Sequence, residues 1–257
     1  MKRNTKELSE FQFRNLKIIA QLLEGDYADE VILEHLHCSE VDYFTLLRKL
    51  TMLEQRMNID LKTGLLKCRN DHLFHLIKSA SRLKLNSSLL DICFIRFDID
   101  NFSLINARYG HTFGDEILIR VAGILKDLSR PSDLIIRFGG EEFDVLLPST
   151  DLQGGISYIQ KIFVCLKNQD IRYEKNLVSV TMSAGVTSLG YNMEEIRSIE
   201  QNSIERLYQT LQMEADHALY EAKFLGKDRY AVYAKDKAEM YLAVREQYNK
   251  FISSVSH

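Results

Sequence analysis

The stretch 137–143 constrains this chain more than any other, because it combines two adjacent glycines with two adjacent carboxylates. Apolar runs flank it on both sides, so Gly139 and Gly140 predict the tight turn of a β-hairpin. Glu141 and Glu142 follow the turn directly, and two like charges in so small a space are costly unless a cation compensates them. The stretch therefore predicts a metal site on a hairpin, with further oxygen ligands supplied from elsewhere in the chain.

A second stretch offers those ligands. The nearly continuous apolar run at 91–100 predicts a buried central strand, and it ends in Asp98 and Asp100. Side chains alternate along a strand, so both aspartates point to one face. Taken alone they would be ordinary strand-end turn residues. If the strand lies beside the hairpin, Asp98 and Glu141 converge, and two or three carboxylates with a backbone carbonyl can hold one or two Mg²⁺ ions for phosphoryl transfer.

The order of apolar patterns predicts the fold class. Strands alternate with helices around one hairpin, which indicates an α/β (α+β) sandwich whose helices flank a central mixed, antiparallel sheet. We predict an all-helical region at 1–58, a main domain at 59–234 and a C-terminal helix at 235–257. In the main domain, helices are predicted at 70–83, 102–108, 114–128, 156–168 and 196–224, and strands at 91–100, 133–138, 143–148, 177–186 and 229–233.

Composition excludes several functions. A net charge of -3 gives no basic field that would attract nucleic acid. Residues 1–60 carry more acidic than basic side chains, and Glu40 and Asp42 open the third predicted helix, so a DNA-binding helix-turn-helix is disfavoured. This region is better interpreted as a sensor, docking or dimerisation module, or simply as a structural cap. Four scattered cysteines, no apolar run of membrane-spanning length and no signal peptide predict a cytoplasmic protein.

At the hairpin, Gly139-Gly140-Glu141-Glu142-Phe143 resembles the signature of GGDEF-domain diguanylate cyclases, in its GGEEF form. Four further motifs follow the family's order over about 60–234: Asp60-x-x-Thr63-Gly64-Leu65, Phe97-Asp98-Ile99-Asp100-x-Phe102, Ile105-Asn106-x-x-Tyr109-Gly110-His111-x-x-Gly114-Asp115 and Ala215-Asp216-x-Ala218-Leu219-Tyr220-x-Ala222-Lys223. The resemblance implies a nucleotidyl-cyclase-like fold and a bacterial second-messenger enzyme. Such an enzyme condenses two GTP into cyclic di-GMP and two pyrophosphates, with one GTP on each subunit of a homodimer. The alternative is a non-catalytic module that binds GTP or cyclic di-GMP.

The resemblance implies that Asp98 and Glu141 are ligands of Mg²⁺ (or Mn²⁺), assisted by the carbonyl oxygen of Ile99. Such a hard cation would stabilise charge on the α-phosphate while the 3′-hydroxyl of the other GTP attacks. Glu141 or Glu142 would also help to take the proton of that hydroxyl. The spacing leaves three roles open for Glu142: metal contact, base, or support for its neighbour.

The resemblance also implies that Asn106 and Asp115 read guanine, with Phe102 in the same GTP site. A carboxylate can accept from both N1–H and the 2-amino group of guanine, a donor pair that adenine lacks, so Asp115 favours GTP over ATP. The simpler role for Asp115 is the N-cap of the next helix. Lys223 and Lys227 are implied to bind the triphosphate, although lysines near a helix C-terminus also complement the helix dipole.

Upstream of the hairpin, the Arg130-x-x-Asp133 pattern matches the family's inhibitory site for its product. It implies feedback by cyclic di-GMP, and a plain turn is the alternative. Arg137 is a weaker candidate for assisting that site, or else an outward-facing strand residue.

Three positions depart from the family pattern. Lys227 replaces the usual arginine, so that a point charge stands where a planar fork is expected. Lys67 replaces an asparagine, and Ser103 replaces a lysine near the expected phosphates. The loss of positive charge at Ser103 is predicted to weaken GTP binding or slow the enzyme without deleting a metal ligand.

Overall fold

The computed structural model describes residues 58–80, 89–192, 200–237 and 239–241. Except for its last residue, the helical region predicted at 1–58 lies outside these ranges, as does most of the C-terminal helix predicted at 235–257. A 3₁₀ turn, Lys235–Lys237, occupies the start of that last segment. The division into these three segments stays a prediction. Within the described ranges, no helix is long and apolar enough to cross a membrane.

The described chain alternates strands and helices. In chain order they are β1 (Leu66–Lys67), α1 (His72–Ala80), β2 (Leu89–Ile99), α2 (Phe102–Tyr109), α3 (His111–Leu128), β3 (Leu134–Arg137), β4 (Glu142–Pro148), α4 (Leu152–Lys167), β5 (Arg172–Tyr173), β6 (Asn176–Leu177), β7 (Met182–Asn192), α5 (Gln201–Phe224) and β8 (Tyr230–Val232).

Six of the strands form one sheet in the order β1-β3-β4-β2-β7-β8, while β5 and β6 form a separate pair. The outer pairs β1/β3 and β7/β8 are parallel, and the three inner pairs are antiparallel. The predicted mixed sheet flanked by helices is therefore confirmed. The register places Asp98 of β2 opposite Glu142 of β4 on one side and Ser183 of β7 on the other.

Helices cover both faces of the sheet, which explains why the central strand β2 is apolar almost throughout. One face packs Cys93, Ile95, Phe97 and Ile99 into a cluster with α2, α3 and α4. The other face packs Ile92 and Phe94 into a cluster with α1 and α5. By strand alternation, Arg96 and Asp98 lie on this second face, toward α5.

The link between β3 and β4 differs from the prediction. Four residues, 138–141, connect the strands, and neither Gly139 nor Gly140 has the positive φ that a two-residue hairpin turn requires. The prediction of a tight Gly-Gly turn is therefore wrong. The amide of Ile99 donates to the carbonyl of Glu141 at 3.3 Å. The link between β3 and β4 is therefore also hydrogen-bonded to the end of β2.

Several other elements have different bounds from those predicted. Helix α4 begins at Leu152 instead of residue 156, with Asp151 as its N-cap. Helix α3 begins at His111 instead of residue 114, because Gly110 (φ 85°) alone separates it from α2. The strand predicted at 177–186 is divided into β6 and β7, and Val178 and Val180 between them insert into the core without ladder pairing. β7 then continues to residue 192 and pairs with all of β2, which extends the sheet beyond the predicted limit.

Candidate active site

The carboxylates predicted to converge lie at one end of the two central strands. Asp98, only 6% exposed, faces Glu142 across the β2/β4 ladder. Glu141 is tied to the end of β2 through the bond from the Ile99 amide to its carbonyl. The predicted neighbourhood of β2 and the hairpin is thus confirmed, and three acidic side chains meet at the point where β2 ends.

Lys223, in the last turn of α5, balances part of this charge, with its Nζ 2.8 Å from a carboxylate oxygen of Asp98. Burial nevertheless raises the pKa of Asp98 to about 6, with Glu141 and Glu142 adding to the rise and Lys223 opposing it. Burial also raises the pKa of Glu142. These carboxylates are difficult to ionise together, which is the situation that a bound cation relieves.

The oxygen donors fit a hard divalent cation that takes some of its ligands from the protein and the others from water or a substrate. Among the described residues, no three His, Cys, Asp or Glu side chains are arranged to hold a metal by themselves. Mg²⁺ typically uses one or two carboxylates and completes its octahedron with water and substrate phosphates. Asp98, Glu141 and the carbonyl of Ile99 could supply the protein's share.

Asp100 lies beside this group but has a different role. Its carboxylate accepts hydrogen bonds from Thr181 Oγ1 at 2.8 Å, Ser183 Oγ at 2.7 Å and the Asp228 amide at 3.0 Å. These bonds attach the end of β2 to the start of β7 and to the loop after α5. Of the two aspartates at the strand end, Asp100 is thus the structural one.

A buried ion pair lies directly behind the carboxylates on the same face. Arg96 donates to both oxygens of Asp144 at 2.7 and 2.8 Å, and both residues are buried. The guanidinium carbon of Arg96 also lies 3.6 Å from the ring centroid of Phe138, just before the Gly-Gly link. The sequence analysis missed this pair. A signal was present, since each charge interrupts an apolar strand two residues from Asp98 or Glu142.

The residues predicted to read guanine meet between α2 and α3. The Oδ1 atom of Asn106 is buried and has no hydrogen-bond partner among the described residues. A Cβ added at Gly114 would lie 1.9 Å from that atom and 3.2 Å from the ring of Phe102, so only glycine fits there. Asp115 follows Gly114 directly. A buried acceptor without a partner is costly, and it suits a ligand that brings N–H donors.

Asp115 also has a partner that the sequence analysis missed. The ammonium of Lys62, in the turn before β1, hydrogen-bonds Asp115 Oδ1, and both side chains are 40% exposed. The simpler role considered for Asp115, an N-cap, is wrong because α3 begins four residues earlier, at His111.

The two predicted triphosphate lysines lie at different places. Lys223 contacts Asp98, whereas Lys227 Nζ donates to Asn101 Oδ1 at 2.6 Å. Asn101 directly precedes α2 and lies two residues before Ser103 in the sequence. Lys227 and Asn101 both have positive φ values, 64° and 57°, so the contact joins two constrained loops.

Arg130 and Asp133 form one closed turn before β3. The Arg130 amide donates to Asp133 Oδ2 at 2.7 Å, and the Asp133 amide donates back to the Arg130 carbonyl at 3.0 Å. The plain turn considered as the alternative is therefore present. The inhibitory role stays a prediction, and the exposed Arg130 side chain is not needed for the turn's own hydrogen bonds.

Arg137 fixes the Gly-Gly link from the side. It donates to the carbonyls of Gly139 and Gly140 at 3.3 and 2.8 Å, and to Asp60 Oδ1 at 2.9 Å. Although burial alone would raise it, hydrogen bonds from Thr63 and Arg137 lower the pKa of Asp60 to about 2. Arg137 thus joins the link to the turn before β1.

Comparison with known proteins identifies the family of this chain. The family model described as "Diguanylate cyclase, GGDEF domain" matches residues 57–229. Diguanylate cyclase A of Treponema denticola is 34% identical over 183 residues, 71% of this chain and 44% of that protein. Diguanylate cyclase DgcP of Pseudomonas aeruginosa is 36% identical over 142 residues, 55% of this chain and 19% of that protein. The chain therefore spans less than half the length of these curated relatives.

Solved structures share the fold. The coiled coil and GGDEF domain of DgcB from Caulobacter crescentus, in complex with c-di-GMP, superimposes with a TM-score of 0.62 at 21% identity, covering 78% of this chain and 98% of that one. Diguanylate cyclase SiaD from Pseudomonas aeruginosa, in complex with its activator SiaC, gives a TM-score of 0.55 at 26% identity, covering 90% of this chain and 83% of that one.

Proposed function

Since this chain belongs to the GGDEF-domain diguanylate cyclase family, we propose that it condenses two GTP into cyclic di-GMP and two pyrophosphates. One observation carries the proposal: besides the crowded carboxylates at the end of β2, the described residues contain a buried acceptor between α2 and α3, Asn106 Oδ1, that has no hydrogen-bond partner among them. The first group suits a cation and phosphates, and the second suits a guanine base. A cytoplasmic location, where GTP is available, is part of the proposal.

Asp98, Glu141 and the Ile99 carbonyl would hold Mg²⁺ or Mn²⁺, which when bound supplies positive charge to the phosphate oxygens. Lys223, whose Nζ lies 2.8 Å from a carboxylate oxygen of Asp98, would bind the triphosphate beside the cation. We assign Glu142 as the base, because it is half-buried and burial raises its pKa toward the range useful at neutral pH.

In the reaction, the 3′-oxygen of one GTP attacks the α-phosphorus of the other, and the bond from that phosphorus to pyrophosphate breaks. The 3′-oxygen of the second GTP then attacks the α-phosphorus of the first in the same way, so two phosphodiester bonds form and two pyrophosphates leave. In each step the hydroxyl proton passes to Glu142. Because each chain offers one guanine pocket, two copies must face each other, and a homodimer is therefore part of the proposal. The region at 1–58 is proposed to control that pairing.

The test is direct. Purified protein at high concentration is incubated with GTP and MgCl₂, and chromatography follows the formation of cyclic di-GMP. Glu141→Ala should abolish the product, whereas Glu116→Ala, which removes an exposed carboxylate on α3, should not. GTP binding without product would favour the non-catalytic binding module instead. Product unaffected by Glu141→Ala would contradict the metal assignment.

Product inhibition through Arg130 and Asp133 is a further part of the proposal. Arg130→Ala removes the exposed guanidinium but keeps the backbone amide that Asp133 accepts from, so the turn should persist. We expect the variant to keep its initial rate and to continue when cyclic di-GMP is added at concentrations that stop the parent. Arg120→Ala, another exposed arginine, is the control. Equal sensitivity of variant and parent would contradict the inhibitory assignment.

Gly114→Ala should disrupt the guanine pocket selectively. The new methyl group would lie 1.9 Å from Asn106 Oδ1, so the amide must move away. We expect KM for GTP to rise about tenfold, as when one hydrogen bond to a substrate is lost. Gly123→Ala is a matched control on the same helix, since a Cβ there meets nothing within 4 Å. The control should keep the parent's KM and gain about 0.5–1 kcal/mol in unfolding free energy. If Gly114→Ala has the parent's KM for GTP, the guanine-binding role of Asn106 is contradicted.

A further inference from the structure

The turn that carries Lys62 is held from several sides. Asp60 Oδ1 accepts from the amide and the hydroxyl of Thr63 at 2.9 and 2.7 Å, and also from Arg137. The Gly64 amide donates to the Asp60 carbonyl at 2.7 Å, with Gly64 in the left-handed region at φ 64°. Lys126 of α3 donates to the Thr63 carbonyl at 2.9 Å. The turn is therefore fastened to α3, and the backbone of Lys62 has a defined position.

From this turn Lys62 reaches Asp115, which lies on α3 next to the Gly114 gap and Asn106. Both members of the ion pair are 40% exposed, so a ligand can approach them from solvent. An ammonium group has three N–H donors, and a carboxylate accepts several hydrogen bonds. The pair can therefore stay together while each partner also contacts a ligand.

The edge of guanine presents three groups in order: the acceptor O6, the donor N1–H and the donor 2-amino group. A carboxylate that spans N1–H and the 2-amino group has O6 beside it, on the N1 side. A cation bonded to one oxygen of that carboxylate is then near O6. Lys62 supplies such a cation to Asp115, and Asn106 supplies a buried acceptor.

We propose that Lys62 is a specificity-determining residue of the guanine site, whose ammonium donates to O6 while Asp115 accepts from N1–H and the 2-amino group. This inference rests on the proposed function, since it takes the pocket of Asn106 and Asp115 to bind GTP. Adenine carries an amino group in place of O6, so it would set donor against donor at Lys62. Lys62 would thus recognise O6 of guanine, in addition to the N1–H and 2-amino groups that Asp115 recognises.

The experiment measures equilibrium binding by calorimetry, with Ca²⁺ in place of Mg²⁺ to suppress turnover. The probes are GTP, 6-thio-GTP, which replaces O6 by a weaker acceptor, and ITP, which keeps O6 but lacks the 2-amino group. For Lys62→Met we expect about tenfold weaker GTP binding, as for a partly exposed charged hydrogen bond, and unchanged 6-thio-GTP binding. Its preference for GTP over ITP should equal that of the parent.

Two further variants complete the test. Lys62→Arg keeps a cationic donor and should restore the preference for GTP over 6-thio-GTP. Lys62 and Lys67 both line a cavity of about 690 Å³. Lys67→Met removes a charge from that cavity and should change none of the three affinities. If Lys62→Met binds GTP as tightly as the parent or more tightly, with its preference over 6-thio-GTP intact, Lys62 only masks Asp115 and the inference is overturned. A parent protein that binds no GTP overturns the proposed function itself.

Discussion

Asp98→Asn is expected to reduce the formation of cyclic di-GMP by about a hundred- to a thousandfold, the usual loss when one group that stabilises transition-state charge is removed. The carboxylate of Asp98 is central to the crowded site, facing Glu142 across the ladder and contacting Lys223 at 2.8 Å. Asparagine keeps the shape but offers no negative charge to a cation. The measurement is the initial rate at saturating GTP and MgCl₂.

The same substitution should change how stability depends on pH in the metal-free protein. Burial raises the pKa of Asp98 from 3.8 to about 6. A folded-state pKa above the unfolded value means that the stabilising contribution is complete below about pH 4 and is lost as pH rises through 6. Relative to Asp98→Asn, the parent should therefore lose about 2 kcal/mol of unfolding free energy between pH 4 and pH 7.

Urea unfolding at several pH values with EDTA measures this difference, and Asp127→Asn, an exposed aspartate on α3, serves as the control. Parallel pH curves for the parent and Asp98→Asn would show that the buried carboxylate is not held neutral near pH 5. If the rate of Asp98→Asn is within tenfold of the parent's rate, the assignment of Asp98 as a cation ligand is contradicted. The two results are independent, so one can fail while the other holds.

Local patterns predicted the part of the site that lies along single strands. The apolar run before Asp98 indicated a central strand, and the alternation of side chains along a strand indicated that Asp98 and Asp100 share a face. The adjacent carboxylates 141 and 142 indicated the need for a cation. These properties follow from residues close in sequence, and the sheet order then placed the two stretches side by side.

The partners of these residues could not be predicted in the same way. Lys62 and Asp115 are 53 residues apart, and Arg137 lies 77 residues from Asp60. Such pairs form only when the fold brings distant segments together. Local sequence patterns do not contain this information. The prediction of a tight Gly-Gly turn was wrong for a related reason. The link also accepts a hydrogen bond from the Ile99 amide of β2, a strand distant in sequence.

Arg96→Met is expected to destabilise the fold by about 3–5 kcal/mol, because it leaves a fully buried carboxylate, Asp144, without its partner. The double variant Arg96→Met/Asp144→Val removes both charges and both desolvation penalties. Apolar replacements of buried ion pairs are often neutral or stabilising, so the double variant should unfold close to the parent. Urea unfolding of the parent, both single variants and the double variant gives the coupling energy directly.

The double variant also tests the contact between Arg96 and the ring of Phe138, because it removes the guanidinium that lies 3.6 Å from that ring and 3.7 Å from Asp216. If the ring contact helps to hold the Gly-Gly link over the carboxylates, the double variant should stay folded yet turn over GTP about fivefold more slowly, the equivalent of a cation–π contact of about 1 kcal/mol. Phe138→Leu in the parent should show the same loss. If the double variant is as unstable as Arg96→Met, the expectation is wrong. The buried ion pair would then stabilise the sheet by more than its desolvation costs.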